Sequence, residues 1–127
     1  MAGRRIRSPK VREANVPMSY AMRAGDFIFV AGMVARDPES GRIVETDIGA
    51  ATRQCMENMK NLLAEEAATL DDLVKVTVYL KTFGDFAGMN EAYRACFTGD
   101  PPTRTTKQAG SLGLGLVEIE GIAYVGR

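Results

Sequence analysis

The apolar positions of this chain change period along its length, and each change marks an element. In DDLVKVTVYLK, residues 71–81, Val74, Val76, Val78 and Leu80 alternate with Lys75, Thr77 and Tyr79. A period of two sends successive side chains to opposite faces, so this stretch predicts a strand with one face on a core. FIFVAGMV, residues 27–34, is β-rich and almost wholly apolar, which predicts a buried strand. Gly25-Asp26 supplies a turn before it, with a partner strand around Ser19 to Arg23. Two closing strands are expected, about Thr103 to Ala109 and Leu116 to Val125. In the last, Val117, Ile119, Ala123 and Val125 point toward the helices, while Glu118, Glu120, Ile122 and Tyr124 point away.

Two stretches carry the helical period instead. From about Asp47 to Ala67, Ile48, Ala51, Cys55, Met59 and Leu62 recur at spacings of three and four, with Thr46 or Asp47 as N-cap. In GDFAGMNEAYRACF, residues 84–97, Phe86, Met89, Tyr93 and Phe97 share one side, with Asp85 as N-cap; Gly99 and two prolines end the helix. The order is ββαβαββ. It predicts a two-layer α+β fold with two helices on one face of a mixed sheet. The opposite face carries Lys75, Thr77, Tyr79, Glu118 and Tyr124, a mixture suited to water or to another subunit. The glycine-rich AGSLGLGL, residues 109–116, matches no phosphate-binding pattern and is expected to be a hairpin-type connection.

At 127 residues the chain is expected to be one domain, 1–127, with a basic arm over 1–15. Arg4, Arg5, Arg7, Lys10 and Arg12 precede the first acid, Glu13, and such an arm is expected to be solvated and partly frayed. The formal net charge of zero argues against a dedicated nucleic-acid binder. No apolar run reaches the ~20 residues of a membrane span, and no secretory signal pattern opens the chain. Cys55 and Cys96 read as small buried hydrophobes, and a cytoplasmic setting is expected.

Composition restricts the chemistry sharply. The chain has no histidine, which removes most metal sites, every Ser-His or Cys-His nucleophile and the commonest general base. No metal or cofactor is expected. Two charges stand out in strand-like runs: Arg104 in PPTRTTKQ and Glu118 in VEIEG. One reading is a structural ion pair of Arg104 with Glu118 or Glu120. The other is a site in which the arginine grips a small carboxylate through two parallel hydrogen bonds while the glutamate holds a water or moves a proton. Periodicity puts the acids on the face away from the helices. Arg104 joins them only if the strand register allows it.

Taken in order, FIFVAGMVARDPESGRIV, TRQCMENMKNLL, LDDLVKVTVYLKTFGDFAGMNEAYRACF, PPTRTT and VEIEGIA resemble the RidA/YjgF family of reactive intermediate deaminases over roughly residues 17–125. The resemblance implies a chorismate-mutase-like fold and a homotrimer with ligand clefts between subunits. It also implies a cofactor-free hydrolysis of 2-enamine and 2-imino acids to 2-keto acids and ammonia. Arg104 then matches the carboxylate-binding arginine and Glu118 the glutamate that positions water. Gly32, Ala31, Met18, Asn90 and Thr106 fall at substrate-binding positions. The chain departs from the family's pattern in NVPMSY, where Met18 takes the place of a cleft tyrosine and Tyr20 lies two residues on. Ala31 stands where a Ser or Thr is common, and Thr106 where a cysteine often falls. Two other functions remain as alternatives: a non-catalytic trimer that binds small carboxylates and regulates other proteins, and an endoribonuclease-type member of the family.

Overall fold

The structure is a computed structural model describing residues 3–113 and 115–126. In chain order its elements are β1 (Arg4–Ile6), β2 (Ala21–Ala24), β3 (Phe27–Val34), α1 (Ile48–Ala64), β4 (Leu73–Leu80), α2 (Phe86–Arg94), β5 (Thr103–Gln108) and β6 (Val117–Tyr124). The strands form one sheet in the order β1-β2-β3-β6-β4-β5. Only β4 and β5 run parallel, joined through α2 in a strand–helix–strand crossover. The sheet is therefore mixed, with both helices on one face, an α+β fold.

The alternation read in the sequence decides which side is core. Val76, Val78 and Leu80 of β4 and Val117 and Ile119 of β6 are fully buried. They pack against Cys55, Met59 and Leu62 of α1 and Met89 of α2. Asp47 caps α1 by accepting from the Ala50 N–H at 2.8 Å. Asp85 makes no side-chain cap to α2; Thr82 instead accepts from the Gly84 N–H in the turn before it. Val74 does not face the core as the alternation suggests. The register slips between Leu73 and Lys75, so Leu73 takes the inward position and Val74 is left 43% exposed.

Two further expectations are corrected by pairing. The basic arm contains a strand: Arg4, Arg5 and Ile6 pair with Arg23, Met22 and Ala21 on the sheet's edge, and Ile6 is buried. Arg4 donates to Glu66 after the end of α1, and Arg23 donates to the same carboxylate. The 109–116 stretch is not a hairpin, because β5 and β6 are not neighbours. The chain crosses the end of β4, where the Ala109 N–H donates to Leu80 O and the Lys81 N–H to Leu116 O, each at 3.0 Å. Leu114 of that stretch lies outside the described residues.

Truncating Ile119 to alanine is expected to cost about 2–5 kcal/mol, because a fully buried side chain leaves a cavity. Val74→Ala is expected to stay within about 0.5 kcal/mol. Urea unfolding of both variants reads the difference, and equal losses would place Val74 in the core.

Candidate functional site

Strand β4 lies between β5 and β6, and this separates the two charges singled out in the sequence. In the parallel β4–β5 ladder, Arg104 is opposite Val76 and Thr106 opposite Val78. Both valines face the helices, so Arg104 and Thr106 lie on the helix side. In the antiparallel β4–β6 ladder, Glu118 is opposite Tyr79 and Glu120 opposite Thr77, on the open side. Arg104 and Glu118 of one chain therefore stand on opposite faces with a strand between them, and the structural ion pair does not form.

On the helix side, the Arg104 guanidinium sits 4.9 Å from the ring centre of Tyr93 and 5.8 Å from that of Phe86. Its Nη1 lies 3.9 Å from the Met89 sulfur. These neighbours come from the apolar stripe of α2. Among the described residues Arg104 has no carboxylate partner. A cleft of about 410 Å³ opens beside it, walled by Asn90, Tyr93, Phe97, Pro101 and Pro102. Asn90 Oδ1, the Tyr93 hydroxyl and Thr106 Oγ1 are buried without a hydrogen-bond partner. Unpartnered buried polar atoms are uncommon, and two of them belong to residues that wall this cleft.

On the open side, Glu118 lies directly over Gly32. A Cβ at Gly32 would stand 2.5 Å from Glu118 Oε2, so only glycine leaves the carboxylate its place. Glu118 makes no hydrogen bond or ion pair among the described residues. Burial, and then the negative charge of Glu120, hold its pKa above the ordinary carboxylate value. Glu120 is engaged instead, accepting from the Tyr79 hydroxyl at 2.6 Å. That bond raises the Tyr79 pKa. Ala31 lines a second hollow of this face with Lys75, Thr77 and Glu120. Among the described residues no group of three or more His, Cys, Asp or Glu could hold a metal ion, and no helix is long and apolar enough to cross a membrane.

Residues 9–125 match the family described as Endoribonuclease L-PSP. The chain is 48% identical over 109 residues to a RutC family protein of Pyrococcus abyssi, covering 85% of this chain and 86% of that one. It is 34% identical over 122 residues to the 2-iminobutanoate/2-iminopropanoate deaminase of Mus musculus, covering 95% and 90%. Among solved structures, Escherichia coli TdcF with bound serine superposes with a TM-score of 0.90 at 28% identity, covering 95% of this chain and 98% of that one. The chain belongs to the RidA/YjgF family.

Within a RidA/YjgF chain the expected site residues thus divide between two surfaces. Arg104 and Asn90 line the cleft, with Thr106 on the same sheet face; Glu118, Gly32 and Ala31 are on the other. Met18 is 38% exposed in the segment before β2 and lines neither hollow. Tyr20 does not take over its position: it packs partly buried against the core and borders a small hollow with Met33 and Asn58. Sequence reading assigned Tyr93 and Phe86 only to the packing of α2. A helix between two parallel strands lays its apolar stripe on the second strand, and that rule would have brought these rings to Arg104.

The raised Glu118 pKa has a consequence for stability. The folded state disfavours the ionised carboxylate, so its cost is present above the folded pKa and absent below the unfolded one. Glu118→Gln is therefore expected to raise the Tm at neutral pH, with the gain closing as the pH falls through the carboxylate range. Thermal melts across pH check this; a lower Tm at pH 7 would mean the carboxylate is paired.

Proposed function

We propose that the protein is a cofactor-free hydrolytic deaminase that converts 2-enamine and 2-imino acids to 2-keto acids and ammonia. The observation that carries the reading is Arg104: a partly buried guanidinium held by rings in a cleft, with no carboxylate to neutralise it. An arginine in that state is ready to take a carboxylate from a ligand through two parallel N–H···O bonds. The mouse relative named as an imine deaminase and the serine-bound TdcF structure support the same substrate class.

The chemistry asks little of the protein. Arg104 fixes the substrate carboxylate and with it the position of the adjacent C=N carbon. Glu118 in its ionised form accepts a proton from water as the water oxygen bonds to that carbon. The protonated Glu118 then returns its proton to the carbinolamine nitrogen, the C–N bond breaks as ammonia leaves, and the carbinol oxygen releases its own proton to become the C=O of the keto acid. A base with a raised pKa is better matched to proton transfer near neutral pH than an ordinary carboxylate.

Because Arg104 and Glu118 of one chain lie on opposite faces, this reaction needs two chains. In the proposed homotrimer, the β5 edge of one subunit brings Arg104 to the open face of its neighbour, where Glu118 waits over Gly32. The open face carries an apolar patch consistent with such a cover: Phe27, Phe29, Tyr124 and Met22 are exposed, with the Phe27 ring 5.2 Å from that of Tyr124. An endoribonuclease reading loses its local support. Arg4, Arg5, Arg7 and Arg12 of the basic arm are bonded to Glu66, Glu13, Glu13 and the carbonyls of Pro38 and Glu39. A non-catalytic carboxylate binder is the second reading. It is favoured by Tyr20 turning to the helix side, which leaves the Met18 position without a tyrosine.

With a 2-imino acid generated in situ, Arg104→Ala is expected to lower kcat/KM about 100-fold or more, with Arg104→Lys in between. Refolding a mixture of Arg104→Ala and Glu118→Gln chains should restore roughly a quarter of the wild-type rate, the statistical share of clefts with both groups intact. No restoration would put both groups of each site on one chain. Binding of a 2-keto acid with no acceleration of imine decay by the wild-type protein would select the binder.

The pH profile supplies a separate check. Activity is expected to fall in acid as Glu118 protonates, at a pH above the ordinary carboxylate range. Glu120→Gln removes one of the two causes of the raised pKa, so the acid limb should move to lower pH. A limb that stays or moves upward would mean that another group titrates.

A further inference from the structure

The cleft holds its cation in an unusual way. Arg104 is seated by rings, and the nearer is Tyr93, at 4.9 Å. The face of an aromatic ring attracts a guanidinium through its π-electrons without occupying the N–H groups that lie in the guanidinium plane. A carboxylate partner would do the opposite. It would neutralise the charge and take the two in-plane donors that a ligand needs. A ring can therefore fix the direction of the fork while leaving it free.

Tyr93 suits that task by its own placement. It stands three and four residues beyond Asn90 and Met89 on the stripe of α2 that meets β5, and it is only 4% exposed. Burial pushes its hydroxyl up to about 12, so the ring stays neutral through the working range. The hydroxyl has no hydrogen-bond partner, so what this position contributes to Arg104 is the ring face.

We propose that Tyr93 is a positioning residue for carboxylate recognition: its buried ring holds the Arg104 guanidinium directed into the cleft, with no in-plane donor taken by a carboxylate among the described residues. This rests on the carboxylate-clamp reading of Arg104. The role assigned to Tyr93 is exerted through Arg104.

The experiment is equilibrium binding of 2-ketobutanoate, a stable keto acid, by calorimetry to the intact protein and its variants. Tyr93→Leu removes the ring and is expected to weaken binding about 3- to 30-fold. Tyr93→Phe keeps the ring and should bind within about two-fold of wild type. Its Tm should be unchanged or higher, since it removes an unpartnered buried hydroxyl. In the Arg104→Ala background, Tyr93→Leu should weaken binding no further, because the seat then has nothing to hold. Circular dichroism confirms folding, and Tyr93→Met replaces the leucine variant if that fails to fold. Three results would overturn the proposal. Wild-type affinity in Tyr93→Leu, with the loss in Arg104→Ala intact, removes the positioning role and leaves the clamp standing. A further loss in the double variant means that Tyr93 acts independently of Arg104. No binding by wild type, or none that depends on Arg104, removes the clamp and this inference together.

Discussion

Strand β4 is hydrogen-bonded on both sides, antiparallel to β6 and parallel to β5, and this double ladder fixes where every charge of the site can go. Each ladder sets its register residue by residue. Val76 and Val78 are fully buried against the helices, so their β5 partners Arg104 and Thr106 must share that side. Tyr79 faces out, so its β6 partner Glu118 must face out as well. A slip of one residue in the β4–β6 ladder would bring Glu118 to the other face, but it would also turn Val117 and Ile119 out of the core. The outward side of Glu118 is thus enforced by hydrophobic burial, while Arg104 is placed by the pairing of β5 with β4.

That separation explains features that a stability argument alone does not. Arg104 is held by aromatic faces, and Glu118 lies half-buried beside a second carboxylate without a partner. Two buried polar atoms of the cleft wall, Asn90 Oδ1 and the Tyr93 hydroxyl, are unbonded. Pairing each charge within the chain would have stabilised the fold, and pairing is what the protein does elsewhere: Glu66 takes both Arg4 and Arg23, and Glu13 takes Arg5 and Arg7. Unpaired charges on both faces of the β4 ladder, in a chain that pairs Arg4 and Arg23 with Glu66 and Arg5 and Arg7 with Glu13, mark surfaces suited to a ligand or a neighbour.

Much of the fold was legible because it depends on local period. The α1 and α2 stripes, the inward Val76, Val78 and Leu80, and the outward Glu118 all follow from spacings of two, three and four. The parts that were not legible depend on partners far along the chain. The strand β1 is a run of two arginines and an isoleucine that acquires its burial only by pairing with β2 and by the bonds of Arg4 and Arg23 to Glu66. The register slip at Leu73–Lys75 moved Val74 outward although the sequence alternates without interruption there. The side of Arg104 was undecidable from β5 alone, since a strand exposed along most of its length carries no hydrophobic face to orient it. Strand order decided it, and order is a long-range property.

The division of the site between two faces also bears on what the chain's departures from its family mean. Met18, Ala31 and Thr106 each depart from the residue the family's pattern favours, yet they do not sit together: Thr106 belongs to the Arg104 side and Ala31 to the Glu118 side, while Met18 lines neither hollow. Changes spread in this way leave Arg104 with its ring neighbours and Glu118 over Gly32. The cation and its seat are intact on one, and the carboxylate over Gly32 is intact on the other. Under the proposed deaminase reading, such substitutions would act on what surrounds the reacting atoms and would tune the size and polarity of the side chain admitted.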